Sequence, residues 1–259
     1  MNRPQLMGIL NLTPDSFSGD GATTIDAALA RFGQLVCDGA AIVDLGAEST
    51  RPGATPLAAG EEWARLAPVL EALRDHPQRH ATRLSIDSYH AENVARALRL
   101  GVDIANDVSG LRDAAMAHIV ATHDGDVVVM HALTVPADSA VTLPAGSDPI
   151  AEILAWKTAV TARAEKAGIN PARLVYDPGL GFGKSAAQSR EVMVRAASLV
   201  QSGGRWLIGH SRKSFLAAIH GNRDEATLIG SALLAQAGVE ALRVHDVTGH
   251  RKLFDALCT

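Results

Sequence analysis

Short apolar runs alternate with amphipathic stretches along the whole chain. Eight of the apolar runs are nearly continuous, as in GILNL, AIVDLG and DVVVMH, rather than alternating with polar residues. Continuous runs are typical of parallel strands that are buried on both faces. We therefore predict strands at Gln5–Leu10, Ala40–Leu45, Arg83–Ile86, Val102–Ala105, Asp126–Met130, Leu174–Tyr176, Trp206–Ile208 and Ala241–Val244.

Helical periodicity fills the segments between these strands. The predicted helices are Ile25–Asp38, Gly60–Asp75, Ala91–Leu100, Asp113–Ala121, Pro149–Gly168, Ala187–Ser202, Glu225–Gly238 and Thr248–Leu257. Parallel strands need such crossover connections. Eight β/α units favour a closed barrel over an open sheet, and no Gly/Ser linker divides the chain. We therefore predict an α/β protein in which residues 1–259 form a single (β/α)₈ TIM barrel domain.

Composition narrows the class of protein. The chain has 259 residues, 47% of them hydrophobic, which is enough for one large core. Its net charge of −4 and pI near 6.2 predict neither a nucleic-acid nor a membrane partner. The N-terminal apolar run is too short for a signal peptide, and no stretch reaches the length of a membrane span. Because Cys37 and Cys258 lie far apart, we expect no disulfide and a cytoplasmic location.

Polar side chains stand at the C-terminal end of every predicted strand. In chain order they are Asn11 and Asp15; Asp44 and Glu48 to Arg51; Asp87; Asn106 and Asp107; His131; Asp177; His210 to Lys213; and Arg243, His245 and Asp246. In a barrel these ends meet at one mouth, where active sites are built. Polar groups there are unfavourable unless they face a ligand, water or one another, so their joint placement predicts an active site.

Each of these residues also has a purely structural interpretation. Asp87 alone would be read as a helix cap, and Asn106 with Asp107 as turn residues. Asp177 starts an Asp-Pro-Gly turn signal, and His131 alone would be a buried, hydrogen-bonded histidine. The functional interpretation therefore rests on the whole set and on none of its members alone.

Known motifs exclude several chemistries. The segment DPGLGFGKS (177–185) ends like a phosphate-binding P-loop, but Pro178 occupies the position of that motif's first glycine. It also misses the GxGxxG pattern, because Lys184 holds the last place. The sequence contains no HExxH, no GxSxG and no Cys/His cluster, so a built-in zinc site or a serine hydrolase has little support.

The polar residues divide into two chemical types. One set mixes carboxylates, an amide and an ammonium, as a flat heterocycle with N–H and C=O edges requires: Asp87, Asn106, Asp177 and Lys213. The other offers cationic and amide groups that suit a diphosphate: Asn11, Arg51, Arg243 and His245. A divalent metal on a diphosphate needs only one or two protein oxygens.

Seven segments resemble the signature blocks of the dihydropteroate synthase family, in family order and over nearly the whole chain. They are GILNLTPDSFSGDG (8–21), DLGAESTRPGATP (44–56), SIDSY (85–89), NDVSG (106–110), DPGLGFGK (177–184), SRKSFL (211–216) and RVHDV (243–247). The resemblance implies condensation of 6-hydroxymethyl-7,8-dihydropterin diphosphate with 4-aminobenzoate. The products are 7,8-dihydropteroate and diphosphate, Mg²⁺ assists, and the pathway is folate biosynthesis. It also implies a homodimer and a sulfonamide target, and the last two predicted helices, which are rich in Ala and Leu, are the candidates for the dimer face.

The resemblance also implies roles for particular residues. The catalytic residues would be Asp87, Asp177, Lys213, Arg243 and His245. The pterin would contact Asp87, Asn106, Met130, Asp177, Phe182, Lys213 and Arg243. The diphosphate would contact Asn11, Arg51, Arg243 and His245, with Asn11 also a magnesium ligand. The 4-aminobenzoate would contact Phe17, Thr50, Arg51, Pro52 and Ser211.

Four departures from the family pattern and two alternative functions accompany this resemblance. The departures are Ala47 for a common Gly, Ala132 for a common Met, His210 at an often apolar position, and SGDG for SDGG. One alternative is a methyltetrahydrofolate–corrinoid methyltransferase, which binds a pterin through Asp and Asn but has no use for a diphosphate clamp. The other is a non-catalytic pterin-binding paralogue, which would lose loop residues such as Thr50 and Arg51.

Overall fold

Eight parallel strands close into one barrel in the computed structural model, which describes residues 3–12, 24–48, 55–219 and 221–257. The strands are β1 (Gln5–Asn11), β2 (Ile42–Gly46), β3 (Arg83–Asp87), β4 (Ile104–Asp107), β5 (Asp126–Met130), β6 (Leu174–Asp177), β7 (Arg205–Ile208) and β8 (Ala241–Val244). They follow one another in sequence order, and β1 pairs with both β2 and β8. The predicted (β/α)₈ barrel is confirmed.

Helices connect successive strands. They are α1 (Ile25–Asp38), α2 (Ala59–Arg74), α3 (Ala91–Arg99), α4 (Ala114–Ala121), α5 (Pro149–Lys166), α6 (Ala186–Val194), α7 (Ala196–Gln201), α8 (Arg223–Gln236) and α9 (Val247–Leu257). The predicted helix Ala187–Ser202 is wrong as a single element, because the backbone at Arg195 (φ −97°, ψ 17°) separates α6 from α7. A short 3₁₀ helix at Ser214–Ala218 follows β7 and was not predicted.

Local sequence explains several helix starts. The side chains of Thr24, Asp148, Ser185 and Asn222 each accept hydrogen bonds from first-turn backbone N–H groups of α1, α5, α6 and α8. Such caps satisfy donors that have no partner inside the helix. The long segment between β5 and α5, predicted as a loop at Ala132–Gly146, contains neither helix nor strand. No helix in the described ranges is long and apolar enough to cross a membrane.

The inside of the barrel is filled in layers. An apolar layer crosses its middle, formed by Met7, Ile42, Ile104, Val128, Val175, Leu207 and Ala241. An ionic ring closes the N-terminal end, where Arg205 contacts Asp126 at 2.6 Å and Glu240 at 2.8 Å, and Arg83 contacts Asp126 at 2.8 Å. Within the described ranges the barrel is therefore a packed core that is closed at its N-terminal end.

Candidate active site

A polar layer lies directly above the apolar layer of the barrel, at the C-terminal ends of the strands. Side chains of a strand point to the same face at every second residue. The inward residues Ile42, Ile104, Val175 and Ala241 are thus followed, two positions later, by Asp44, Asn106, Asp177 and Arg243. The period of the strands therefore brings four polar side chains from four strands to one level of the barrel.

Arg243 joins two carboxylates in this polar layer. Its Nε donates to Asp44 Oδ2 at 2.6 Å, and its Nη2 donates to Asp87 Oδ2 at 2.7 Å. Asp44 also accepts a hydrogen bond from Asn106 Nδ2 at 3.2 Å. The Asp44 side chain is 0% exposed and the Asp87 side chain 16% exposed, so Asp87 is the carboxylate that can reach a ligand. Burial alone would lower the pKa of Arg243, but the two carboxylates raise the pKa by more than burial lowers it. The guanidinium therefore stays charged.

Asp177 stands at the start of a glycine-rich turn that returns to the mouth. Its Oδ1 accepts a hydrogen bond from the backbone N–H of Gly179 at 2.7 Å. Gly179 has φ +63°, and a Cβ there would overlap the carbonyl oxygen of His131, so the turn needs glycine at this position. The outer side of the turn meets Lys213, whose Nζ donates to the Leu180 carbonyl and lies 5.1 Å from the Phe182 ring centroid.

Three carboxylates and two cations stand in this part of the mouth, with the buried Lys184 beneath them. Asp44, Asp87 and Asp177 face Arg243 and Lys213. Burial raises the pKa of Asp87 to about 7, with Arg243 opposing and Asp44 adding to the rise. Burial likewise raises the pKa of Asp177, and the charge of Lys213 opposes it. A ligand that brings N–H donors would relieve this excess of acceptors.

Apolar residues form a wall beside the polar layer. Val108, Met130 and Ala132 form a small buried cluster, and Tyr89 and Phe182 pack against it while staying partly exposed. Gly209, which follows β7, lies beside the polar layer, since a Cβ there would be in ordinary van der Waals contact with Asp177 Oδ2 at 3.6 Å and with Arg243 Cβ at 3.8 Å. The arrangement offers apolar surface and hydrogen-bonding groups side by side, as binding of a planar polar ring requires.

The residues expected to hold the diphosphate and the 4-aminobenzoate are only partly described. Asn11 ends β1 beside Gly46 of β2 and is half-buried. His245 follows β8, and its Nδ1 lies 2.9 Å from Ser211 Oγ, which also accepts the His245 backbone N–H at 3.3 Å. The two loops after β7 and β8 are thereby joined. Phe17, Thr50, Arg51 and Pro52 lie outside the described residues, so their predicted contacts stay predictions.

The structure shows which of the polar residues at the strand ends face the mouth and which ones hold local backbone. Asp87 does not cap a helix, since α3 begins at Ala91 with His90 before it, and the carboxylate binds Arg243 instead. Asp107, next to Asn106, is a turn residue whose carboxylate accepts the backbone N–H groups of Ser109 at 2.8 Å and Leu111 at 2.7 Å.

His131 has the structural role that its isolated position suggested. The residue is buried, and its Nδ1 lies 2.7 Å from Lys184 Nζ. Burial and the neighbouring Lys184 lower the pKa of His131 to about 3, so the ring is neutral at physiological pH.

Two residues at the mouth received no predicted role from sequence. Asp44 lies inside the apolar run of β2 and is fully buried. A charged residue within an apolar run is unusual, and this was the sequence signal that could have identified it. Lys184 entered the sequence argument only within two failed glycine-motif matches and one family block, without a role of its own, yet its ammonium lies beneath the turn that follows β6. Apolar periodicity carries no information about which strand ends contact each other. The contact of Asp44 with Arg243 and the contacts of Lys184 with the turn were therefore not predictable.

Comparison with known proteins places this arrangement in a known class. The family model described as "Pterin binding enzyme" matches residues 7–245. A probable bifunctional folylpolyglutamate synthase/dihydropteroate synthase from Halobacterium salinarum is 41% identical over 95% of this chain. The chain spans only 30% of that relative's length. A dihydropteroate synthase from Streptococcus pyogenes is 36% identical, over 97% of this chain and 94% of the relative.

A solved structure agrees with the sequence comparisons. The dihydropteroate synthase of Anaplasma phagocytophilum, crystallised with 6-hydroxymethylpterin-monophosphate, superposes with a TM-score of 0.90 at 32% identity and covers 100% of both chains. A barrel with this mouth is therefore a pterin-binding enzyme. Within that class, the chain belongs to the dihydropteroate synthase family.

Proposed function

We propose that the chain condenses 6-hydroxymethyl-7,8-dihydropterin diphosphate with 4-aminobenzoate to give 7,8-dihydropteroate and diphosphate. The observation that carries the proposal is the group formed by Asp87, Asn106, Asp177 and Lys213 at the barrel mouth. A pterin presents amino and ring N–H donors beside a carbonyl oxygen. Carboxylates accept from such donors, an amide does both, and an ammonium donates to the carbonyl.

The diphosphate lies on the opposite, cationic side of the mouth in this proposal. Arg243 and His245 come from the end of β8, and Arg51 is expected to join them on the basis of the family resemblance. Arg243 also borders the pterin set through Asp87, at 2.7 Å. It thus stands between the two halves of the substrate and can stabilise negative charge that develops on the leaving oxygen.

The donor chemistry of the mouth fits Mg²⁺ carried on a diphosphate. Within the described ranges no cluster of three His, Cys, Asp or Glu side chains is arranged to hold a metal. Mg²⁺ bound to phosphates needs only one or two protein oxygens and keeps several waters. Asn11, at the end of β1, would supply such an amide oxygen. When bound, the ion supplies positive charge that stabilises the departing diphosphate.

The residues of the site support a stepwise substitution. The bond between the exocyclic methylene carbon and the diphosphate oxygen breaks, and the oxygen keeps the electron pair. The carboxylates of Asp87 and Asp177 stabilise the resulting cation by Coulomb attraction in a site shielded from water. The amine nitrogen of 4-aminobenzoate then forms a bond with the methylene carbon and loses a proton. No enzyme nucleophile is needed.

A direct product assay tests the proposed function. Purified protein with both substrates and Mg²⁺ is expected to form dihydropteroate and diphosphate in equal amounts, as measured by liquid chromatography with mass detection. Omission of 4-aminobenzoate or chelation of Mg²⁺ should stop dihydropteroate formation. Binding of the pterin without product formation would contradict the proposal and favour the non-catalytic paralogue or the corrinoid methyltransferase. The expected cytoplasmic location stays a prediction.

The affinity for the pterin should depend on pH through Asp87. Its pKa is raised to about 7 by burial, so the carboxylate is protonated below pH 7 and ionised above it. Only the ionised form accepts two N–H donors, so the ionisation of Asp87 by itself should lower the Kd for 6-hydroxymethyl-7,8-dihydropterin about tenfold from pH 6 to pH 8. Because burial also lowers the pKa of the nearby Lys184 to about 7, the contribution of Asp87 is measured as the difference between wild type and Asp87→Asn, by calorimetry at several pH values. The Asp87→Asn variant should bind weakly and lack this contribution, and an unchanged slope would assign the titration to another group.

We also propose a homodimer that uses α8. Ile229 is 51% exposed and Leu233 is 37% exposed, and their i, i+4 spacing puts both on one helix face. The double variant Ile229→Glu/Leu233→Glu is expected to be monomeric where the wild type is dimeric, as measured by light scattering on a sizing column. Ile25→Glu, which changes an isoleucine of similar exposure (43%) on α1, should leave the dimer intact. A monomeric wild type would contradict the proposal.

A further inference from the structure

Lys184 is a buried lysine beneath the mouth to which the proposed reaction gives no role. It is 5% exposed and follows the turn that leads away from Asp177. Its Nζ lies 2.7 Å from His131 Nδ1. Three carbonyl oxygens also lie within hydrogen-bond distance of Nζ, those of Gly179 at 3.0 Å, Phe182 at 3.2 Å and His131 at 3.3 Å, so the three N–H groups of the ammonium are shared among four acceptors. A buried ammonium is tolerated only when it is surrounded by acceptors in this way.

The acceptors of Lys184 belong to two segments. Gly179 and Phe182 lie in the turn after β6, whereas His131 follows β5. The neutral imidazole of His131 accepts from the ammonium, since the pKa of His131 is lowered to about 3 by burial and by Lys184. Lys184 therefore links the inner side of the turn after β6 to the end of β5 through hydrogen bonds.

The opposite side of the same turn carries groups of the pterin site. The Leu180 carbonyl accepts a hydrogen bond from Lys213 Nζ, and the Phe182 ring lies 5.1 Å from that ammonium. Gly179, Gly181 and Gly183 all have positive φ values of 63° to 81°, so the backbone itself offers little resistance to rearrangement. The shape of the turn, and with it the positions of Phe182 and Lys213, depends on what holds its inward carbonyls.

Lys184 also interacts electrostatically with Asp177 at the mouth. Burial lowers the pKa of Lys184 to about 7, and the charge of Asp177 opposes that fall. Conversely, Lys184 helps to keep the pKa of Asp177 from rising further. Charge on Lys184 and charge on Asp177 therefore favour each other across the turn.

We propose that Lys184 is a positioning residue for pterin binding. Its ammonium fixes the turn at 179–183 so that Phe182 and Lys213 stand at the mouth in the arrangement that receives the pterin. The role deepens the proposed function and rests on it for the identity of the ligand. Lys184 does not touch the substrate, so its effect should be confined to the pterin side of the reaction.

The test compares Lys184→Met with Lys157→Met. Methionine keeps the length of lysine and removes the ammonium. Lys157 is a matched control, because its Nζ also donates to backbone carbonyls, of Ser202 at 2.8 Å and Gly203 at 2.7 Å, but at the N-terminal end of the barrel. For each variant we would measure the Kd for 6-hydroxymethyl-7,8-dihydropterin by calorimetry, the KM for both substrates, and the Tm.

The proposal predicts a selective loss. Lys184→Met should raise the pterin Kd and the KM for pterin diphosphate about ten- to a hundredfold, the range for hydrogen bonds to a charged group. Its KM for 4-aminobenzoate should stay within twofold of wild type. Lys157→Met should lower the Tm and leave both KM values within twofold. An unchanged pterin Kd in folded Lys184→Met, or equal losses for both substrates, would overturn the proposal.

Chemical rescue separates positioning from folding. In a background with Cys37→Ser and Cys258→Ser, Lys184→Cys can be alkylated with 2-bromoethylamine, which restores an ammonium at nearly the same reach. Recovery of pterin affinity on alkylation supports the proposal, and recovery of Tm without affinity overturns it. Because the calorimetric readout needs no turnover, wild type that binds pterin but makes no product would contradict the proposed reaction alone.

Discussion

Replacing Arg243 by alanine should reduce kcat/KM for pterin diphosphate by about 10²- to 10³-fold. The guanidinium holds Asp44 at 2.6 Å and Asp87 at 2.7 Å, and both carboxylates lie largely out of water. In the proposed reaction, loss of the cation removes stabilisation of the leaving diphosphate, and removal of one well-placed electrostatic group at a transition state typically costs about 10²- to 10³-fold in rate. The variant should also be less stable, because removing one partner of a buried ion pair typically costs about 3–5 kcal/mol of folding free energy.

Arg205 provides the matched control for this experiment. It too bridges two carboxylates, Asp126 at 2.6 Å and Glu240 at 2.8 Å, but it does so at the N-terminal end of the barrel. Arg205→Ala should lower the Tm and leave kcat/KM within about twofold. Steady-state kinetics and thermal denaturation of both variants decide the matter. Equal kinetic losses in both would mean that Arg243 matters only for the stability of the barrel.

The sequence predicts most of the fold because the barrel depends on local patterns. The eight strands require continuous apolar runs, and each crossover requires an amphipathic helix, so both can be read from short windows. The error at Ala187–Ser202 has a local cause. Apolar periodicity continues through Arg195, while the backbone there leaves the helical region, and no Pro or Gly marks the break.

The sequence predicts that polar strand ends meet at one mouth, but it does not predict how their side chains pair. The mouth collects residues from strand ends that lie far apart in sequence, and a barrel guarantees only that these ends share one rim. Which carboxylate meets Arg243 depends on strand register and on side-chain reach. The turn after β6 illustrates the limit. Its glycines signal an unusual backbone, but only coordinates show that Lys184 lies inside the turn and Lys213 outside it.

Asp177→Asn is expected to cause the second large loss, about 10²- to 10³-fold in kcat. The amide oxygen of asparagine can still accept the Gly179 N–H that Asp177 Oδ1 accepts at 2.7 Å, so the turn should persist. What disappears is the negative charge that, in the proposed reaction, pairs with pterin N–H groups and stabilises the cation at the methylene carbon. Loss of one well-placed electrostatic group at a transition state typically costs about 2.7–4 kcal/mol. Single-turnover kinetics with saturating pterin diphosphate would measure the loss directly.

The Asp107→Asn variant tests whether the loss of activity in Asp177→Asn comes from the missing charge at the mouth or from a change in the geometry of the turn. Like Asp177, Asp107 is the last residue of a strand, and its carboxylate accepts the backbone N–H groups of Ser109 at 2.8 Å and Leu111 at 2.7 Å. Its neighbour Asn106 points into the barrel, so by the alternation of strand residues Asp107 points away from the mouth. Asp107→Asn should lower the Tm and leave single-turnover rates within about threefold. If both variants lost activity alike, turn geometry would explain the result, and the proposed stabilisation of a cation by Asp177 would be wrong.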